Sequence, residues 1–206
     1  MGSSSSTTIC EPLATGSTVI TVLDWIDVTG SEYGLGITVW FTGLPSSGKS
    51  TIAAGLAAQL RDEGLRVEVL DGDEIRRNLT PDLGFSRADR EENVRRIGHI
   101  ATLLARNGVI VLVPVIAPYA EARDKVRAAH AESGVKFFEV YVAAPADVCA
   151  DRDVKGLYAL QRAGRLTGLT GVDDPYEPPA GPELTIPTHV QTVDESIRTV
   201  RALLPT

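Results

Sequence analysis

The chain has 206 residues, of which 43% are hydrophobic, and a formal net charge of −7 at pH 7. This length suits a single domain with one core, and the acidic balance with scattered basic residues argues against a nucleic-acid polymer as a partner. Two cysteines are too few for a disulfide framework, so we expect a reducing, cytoplasmic location.

The first 35 residues form a leader whose composition differs from that of the remaining chain. Residues 1–8 are rich in Ser and Thr, which is typical of a disordered tail, and residues 19–28 are apolar enough for an edge strand. We expect no secretion signal, because no basic segment precedes an apolar one there. The longest strongly apolar stretch, residues 109–117, is too short to cross a membrane as a helix. We therefore expect no membrane association and place the chemistry in residues 36–206.

A glycine-rich segment directly follows the first predicted strand, residues 37–41. It has the pattern G-x-x-x-x-G-K-S and consists of Gly43, Leu44, Pro45, Ser46, Ser47, Gly48, Lys49 and Ser50. Its glycines let backbone N–H groups approach a polyphosphate, Lys49 can reach the β- and γ-phosphates, and the Ser50 hydroxyl can reach Mg²⁺. A helix predicted over residues 50–60 adds its dipole to anion binding. The order of strand, loop and helix predicts a nucleoside triphosphate site, but it does not separate kinases from GTPases, ATPases or pure binders.

Strand and helix signals alternate along the rest of the chain. Strands are predicted over residues 67–70, 109–115 and 136–142. Helices are predicted over residues 87–107, 121–133 and 145–151, and a capping box at residues 192–195 opens a last helix. This alternation predicts an α/β fold with a parallel sheet, helices on both faces and the ligand at the carboxyl ends of the strands.

Two carboxylates, Asp71 and Asp73, follow the strand predicted at residues 67–70. An acid at this position can hold Mg²⁺ or accept the proton of an attacking hydroxyl, although Asp-Gly is also common in solvated turns. The strand predicted at residues 109–115 has no acid at its carboxyl end. Asp71 or Asp73 is therefore the available carboxylate.

Basic residues after these acids are spaced for an anion. Arg87, Arg90 and Asn93 fall three apart on one predicted helix and Arg76 lies near the same strand end, although a salt-bridged surface helix would look similar. Residues 152–180 are polar and rich in Gly, Pro and basic residues. We interpret them as a lid that closes over phosphates and excludes water.

Five longer motifs follow one another from residue 36 towards the C-terminus. They are W-F-T-G-L-x-x-x-G-K-S, L-D-G-D, L-G-F-S-R-x-D-R-x-E-N-x-R-R-I-G, R-D-x-K-G-L-Y and G-x-T-G-V-D-D-P-Y-E-x-P. Together they resemble the adenylylsulfate kinase family of P-loop kinases. The resemblance implies a P-loop NTPase fold and transfer of the γ-phosphoryl group of MgATP to the 3′-hydroxyl of adenosine 5′-phosphosulfate (APS), which gives PAPS in sulfate assimilation. It also implies a homodimer and leaves a partnership with ATP sulfurylase open.

The resemblance also implies roles for matched positions. Asp73 would contact the acceptor ribose and assist its deprotonation, with Lys49 as the second catalytic residue. ATP would bind the loop at residues 43–50 and Thr51, with Arg152 near its adenine, and Ser50 and Asp71 would hold Mg²⁺. The acceptor would contact Asp73, Arg76, Phe85, Arg90, Asn93, Ile116, Ala117, Lys155, Gly156, Leu157, Leu169 and Thr170.

Three positions depart from the family pattern. Glu74 stands where the family has Asn, and Ala117 replaces a serine that some members phosphorylate. Leu169 replaces a lid phenylalanine, which removes a stacking partner for the acceptor base but keeps an apolar contact. These departures leave open a related kinase for another nucleotide or sulfonucleotide. A nucleotide-binding regulatory module is disfavoured because the loop lysine and the acid are present, and a GTPase is disfavoured because N-K-x-D is missing.

Overall fold

The computed structural model describes Gly34 and residues 36–204, so the edge strand expected at residues 19–28 lies outside the described residues. Within the described part the strands are β1 (Ile37–Thr42), β2 (Val67–Val69), β3 (Ile110–Pro114), β4 (Lys136–Val142) and β5 (Leu184–Ile186). The helices are α1 (Lys49–Asp62), α2 (Gly72–Asn78), α3 (Arg87–Arg106), α4 (Ala120–Glu132), α5 (Ala146–Arg152), α6 (Leu157–Arg162) and α7 (Val193–Arg201).

The strands form one sheet in the order β2-β3-β1-β4-β5, and every neighbouring pair is parallel. Strand β1 lies at the centre, with Val39 opposite Leu112 of β3 and Phe138 of β4. The chain leaves β1 for the far edge of the sheet and returns through β3, so a crevice opens at the carboxyl end of β1. The predicted α/β fold with a parallel sheet is confirmed.

Helices cover both faces of the sheet because successive residues of a strand point to opposite sides. Val39 belongs to a core cluster that also contains Leu56 of α1 and Ile197 of α7. Trp40, the next residue of β1, belongs to a second cluster with Ile97 of α3. Full burial of side chains of this size stabilises the fold by about 1.5–3 kcal/mol each, so the central strand is held from both sides.

Three elements were not predicted from the sequence. Helix α2 is capped by Asp71, whose carboxylate accepts a hydrogen bond from Asp73 N, but its seven residues begin with Gly72, and glycine disfavours a helix. Helix α6 lies inside the predicted lid and depends on the Asp153 carboxylate, which accepts from the backbone N–H groups of Tyr158 and Ala159. Strand β5 has only three residues and owes its extended form to pairing with β4.

The predicted helices begin and end within two residues of the observed ones, and one of these differences is at a proline. Pro145 was expected in the first turn of a helix but is the N-cap of α5, with φ −55° and ψ 149°. Its extended ψ places the first helical residue at Ala146. The capping box before α7 is confirmed, since Thr192 and Glu195 each accept from the other's backbone N–H.

Candidate active site

A cavity of about 690 Å³ lies where the loops after three neighbouring strands meet. Its walls come from the glycine-rich loop after β1, residues 71–73 after β2, and residues 115–118 after β3. Helix α3, residues 152–157 and residues 188–196 complete the enclosure. The cavity therefore occupies the position that a parallel sheet of this topology gives to a ligand.

The glycine-rich loop has the backbone form that its glycines permit. Gly43 and Gly48 have φ values of 152° and 109°, and a Cβ atom on Gly43 would stand 2.5 Å from Val142 O. Lys49 Nζ donates hydrogen bonds to Gly43 O at 2.9 Å and to Leu44 O at 2.7 Å. Burial lowers the pKa of Lys49 from 10.5 to about 7. The loop therefore folds around its own lysine, whose amine is buried against two carbonyl groups of the loop.

Ser50 and Asp71, the two residues expected to hold Mg²⁺, are in direct contact. Ser50 Oγ donates to Asp71 Oδ2 at 2.9 Å, and Asp71 Oδ1 accepts from Asp73 N at 2.9 Å. Hydroxyl and carboxylate oxygens are ligands that Mg²⁺ prefers, so this pair fits the ion. No group of three or more His, Cys, Asp or Glu side chains in the described residues could hold a metal. The phosphates of the nucleotide would have to complete the coordination.

Asp73, the expected base, forms an ion pair with Lys155, which belongs to the predicted lid. Asp73 lies in the first turn of α2, and its Oδ2 accepts a hydrogen bond from Lys155 Nζ. Both side chains are about half exposed. An exposed ion pair of this kind contributes little stability, so a bound substrate can exchange it at low cost.

An exposed aromatic ring also lines the cavity. Phe85 is 65% exposed, and the guanidinium groups of Arg76 and Arg90 lie 4.4 Å and 5.5 Å from its ring centroid. Asn93, one turn along α3 from Arg90, also lines the cavity, and its Oδ1 accepts from Thr80 Oγ1 at 2.7 Å. A ring flanked by two cations provides a stacking surface beside positive charge.

Arg90 joins this wall to the predicted lid. Its guanidinium group donates to Phe85 O, to Thr170 Oγ1 and to Gly168 O at 2.8, 3.1 and 2.7 Å. Arg87 does not line the cavity, although it lies three residues before Arg90 on the same helix. It pairs instead with Glu91 on the surface. One face of α3 therefore lines the cavity with Arg90 and Asn93, while Arg87 and Glu91 form a surface salt bridge.

Residues 115–118 form a strained wall beside these cations. Ala117 has φ 44°, in the left-handed region that alanine rarely adopts, and Ile116 and Ala117 both line the cavity. Ala117 O accepts a hydrogen bond from Arg123 Nη1 at 2.7 Å. The sequence analysis gave Arg123 no role, because a buried arginine on α4 has no local pattern that distinguishes it from a surface one.

Some predicted site residues do not line the cavity. They are Gly43, Leu44, Ser47, Gly156, Leu169 and Thr170. Leu169 is 5% exposed and packs with Ala144, Cys149 and Tyr158. The Asp173 carboxylate accepts from Gly168 N and Leu169 N and closes the turn in which Leu169 is buried. Leu169 is therefore a core residue of this cluster, and its contact with the acceptor base stays a prediction.

The cavity is also lined by residues that the sequence analysis missed. Arg152 lines it as expected and donates to Thr188 O at 2.6 Å and to Ser47 O at 3.3 Å. Thr188 also lines it but belongs to an irregular segment without a recognisable pattern, and Val193, the first residue of α7, lines it as well. Tyr158 OH donates to Pro45 O at 3.2 Å, which fixes α6 to the loop. Tyr158 belongs to R-D-x-K-G-L-Y, so the motif could have revealed it.

The sequence from residue 35 to residue 187 matches the family model for adenylylsulphate kinase. The chain belongs to this family. The adenylyl-sulfate kinase of Microcystis aeruginosa is 54% identical over 165 residues, which cover 80% of this chain and 89% of that protein. That of a Synechococcus species is 56% identical over 162 residues, which cover 79% of this chain and 90% of that protein.

A solved structure of the family has the same fold. It is the Mycobacterium tuberculosis APS kinase in complex with AMPPNP and APS, with a TM-score of 0.81 and 49% sequence identity over 84% of this chain and 99% of that one. None of the helices in the described residues of this adenylylsulfate kinase family member is long and apolar enough to cross a membrane.

Proposed function

We propose that this member of the adenylylsulfate kinase family transfers the γ-phosphoryl group of MgATP to the 3′-hydroxyl of APS, giving ADP and PAPS. The observation that carries the proposal is a single cavity that contains the phosphate-binding loop, Asp73 and the ring of Phe85 between two arginines. Donor and acceptor subsites within one cavity suit direct transfer between them. The relative from M. tuberculosis, solved with an ATP analogue and APS together, supports the same pair of ligands.

The donor half would consist of the loop and the segment around Thr188. Backbone N–H groups of the loop would bind the phosphates, and Lys49 would exchange its carbonyl partners for phosphate oxygens. Ser50 and Asp71 would hold Mg²⁺, which supplies positive charge to the β- and γ-phosphates when bound. Arg152 would lie near the adenine. These contacts place positive charge where negative charge is redistributed during transfer.

The acceptor half would consist of Asp73, Lys155 and the wall around Phe85. The Asp73 carboxylate would take the proton of the 3′-hydroxyl as its oxygen attacks the γ-phosphorus and the bond to the β,γ-bridging oxygen breaks, so that ADP leaves. Lys155 would shift from Asp73 to the phosphates. Arg76 and Arg90 would bind the phosphosulfate, and Phe85 would stack on the adenine.

Transfer would be direct, without a phosphorylated enzyme. Ala117 has a methyl group at the position where some family members carry a phosphorylated serine hydroxyl. Residues 152–180 would close over the cavity and exclude water, which would otherwise compete with the acceptor. Mass spectrometry of the intact protein after incubation with MgATP should detect no phosphorylated enzyme.

The assembly of the protein is part of the proposal. We infer a kinase domain over residues 36–206 that functions as a homodimer in the cytoplasm. A hexameric APS kinase from Thiobacillus denitrificans, 37% identical with a TM-score of 0.61 over 82% of this chain and 28% of that one, supports association within the family. Light scattering coupled to gel filtration should give twice the mass of the 22.0 kDa chain. A partnership with ATP sulfurylase would be tested by adding that enzyme to the same column.

A coupled assay of ADP release tests the reaction. Wild-type protein with MgATP should release ADP when APS is added, and EDTA should stop the reaction. Adenosine 5′-phosphate and other 3′-hydroxyl nucleotides should be poorer acceptors. Turnover of another nucleotide without turnover of APS would agree with the proposed ATP site but overturn APS as the acceptor. Binding of ATP without any phosphoryl transfer would indicate a regulatory module.

A further inference from the structure

The motif segment D-D-P-Y-E, residues 173–177, has no role in the reaction described above, yet it lies directly against the acceptor wall. We call residues 173–177 the strap and residues 116–118 the wall segment. The strap is tied at its start, because Asp174 lies 3.3 Å from Arg90 Nε as an ion pair. Its last two residues contact the wall segment and its neighbours through the hydrogen bonds described next.

Tyr176 acts on the wall segment through Thr42 at the end of β1. Thr42 Oγ1 donates to Ile116 O at 2.7 Å and lies 3.0 Å from Tyr176 OH. A threonine hydroxyl has one hydrogen, so the second contact must be donated by Tyr176. Burial raises the pKa of Tyr176, which keeps this proton in place. The result is a chain of two hydrogen bonds that ends on Ile116 O.

Glu177 binds the next part of the same segment. Its backbone N–H donates to Pro118 O at 2.8 Å, and its Oε2 accepts from Ala120 N at 2.7 Å. The second bond satisfies a free N–H group in the first turn of α4. Glu177 therefore fixes the exit of the wall segment into that helix.

Arg123 connects the strap to the middle of the wall segment. The residue is 2% exposed and donates to Ala117 O at 2.7 Å, Glu177 O at 2.8 Å and Glu139 Oε1 at 2.7 Å. The three consecutive carbonyl groups of residues 116–118 are thus all bound, by Thr42, Arg123 and the strap. A left-handed alanine persists only where its surroundings fix it, and these bonds surround Ala117.

We propose that Tyr176 and Arg123 are positioning residues for the acceptor, which hold the wall segment in the strained form that shapes the acceptor end of the cavity. Neither residue lines the cavity. They act on acceptor binding through residues 116–118, and their hydrogen bonds go to residues outside the phosphate-binding loop. This inference rests on the proposed function in one respect, which is that the acceptor binds beside the wall segment.

The test compares two variants with two matched controls. Tyr176→Phe removes only the hydroxyl, and Arg123→Lys keeps the charge but cannot make all three hydrogen bonds. The first control, Tyr141→Phe, removes a hydroxyl from the ring that stacks on Tyr176, with 6.1 Å between the two ring centroids. Arg127→Lys alters a second arginine on Glu139, one that contacts Glu183 in place of the wall segment.

We expect both variants to raise the KM for APS without a comparable change in the KM for ATP. Tyr176→Phe should raise the KM for APS about three- to tenfold and Arg123→Lys by more, with the KM for ATP within about twofold of wild type. Both controls should leave both constants near wild type. If Arg123→Lys does not fold, Tyr176→Phe alone decides.

An unchanged KM for APS in folded Tyr176→Phe protein would overturn the proposal, and so would equal increases in both Michaelis constants. The same increase in the control variants would also overturn it. Wild-type turnover of APS is measured first, so a failure of the proposed function is seen before any variant is compared. If wild type uses another 3′-hydroxyl nucleotide, the same comparison is made with that acceptor.

Discussion

Lys49 is the residue whose environment predicts most about nucleotide binding. Burial lowers its pKa to about 7, whereas phosphates stabilise the charged ammonium group. In the folded protein without nucleotide, Lys49 therefore loses its proton as the pH rises through 7. The lowered pKa also reduces the free energy of unfolding, because between pH 10.5 and about 7 the unfolded chain binds this proton and the folded protein does not. The loss therefore grows as the pH falls from 10.5 to about 7.

The pH dependence of ATP binding should follow from this shift. Above pH 7 the binding of MgATP must take up a proton, so its affinity should fall by up to about tenfold per pH unit. Calorimetry at pH 8.5 in two buffers with different protonation enthalpies would measure the uptake. Lys125→Met removes a surface lysine that pairs with Glu121 outside the cavity, so it should show the same uptake, while an affinity that is constant from pH 7 to pH 9 would contradict the assignment.

The two carboxylates after β2 should differ in their effects. If Asp73 deprotonates the acceptor, Asp73→Asn should lower kcat by about 10²- to 10⁴-fold with a smaller change in ATP affinity. Asp71 contacts Ser50, so Asp71→Asn should mainly raise the Mg²⁺ concentration needed for half-maximal rate. A fully active Asp73→Asn beside an inactive Asp71→Asn would show that the two roles are reversed.

Among the structural elements, the segment that carries Leu169 gives the clearest contrast between sequence and structure. A phenylalanine at this position was expected to restore stacking on the acceptor base, but the side chain is buried in a small cluster. Leu169→Phe should therefore overpack that cluster, cost about 1–3 kcal/mol and lower Tm, without lowering the KM for APS. Val172→Phe, on the same turn but at a position 48% exposed, should leave Tm near wild type. Tighter APS binding with unchanged Tm in Leu169→Phe would contradict this placement.

The sequence predicts those elements whose signal is local. Periodic apolar residues give β1, α1 and α3, and the cap residues Ser86 and Thr192 mark two helix starts. Short elements such as β5 have no such signal, because their form depends on neighbours distant in the chain. The side-chain direction of Leu169 depends on bonds made by Asp173, and the contacts of Arg123 depend on three separate segments. Tertiary contacts of this kind cannot be inferred from residue spacing.

The whole molecule concentrates positive charge at one place. The chain has a net charge of −7, but the cavity is lined by Lys49, Arg76, Arg90, Arg152 and Lys155 against Asp71 and Asp73. A cationic cleft in an acidic protein attracts anionic substrates and repels them elsewhere. Raising the ionic strength from about 0.02 M to about 0.2 M should therefore lower kcat/KM for APS several-fold. The neutral solute sucrose, at matched viscosity, should not reproduce the full effect.

The most direct measurement of the central claim is the identity of the product. Wild-type protein is incubated with MgATP and APS, the product is separated, and ³¹P NMR locates the new phosphate group. We predict ADP and a nucleotide that carries the new phosphate on its 3′-oxygen, with transfer about 10²- to 10³-fold slower in Lys49→Ala. Recovery of unmodified APS with active wild-type protein, or of phosphate at another position, would contradict the account.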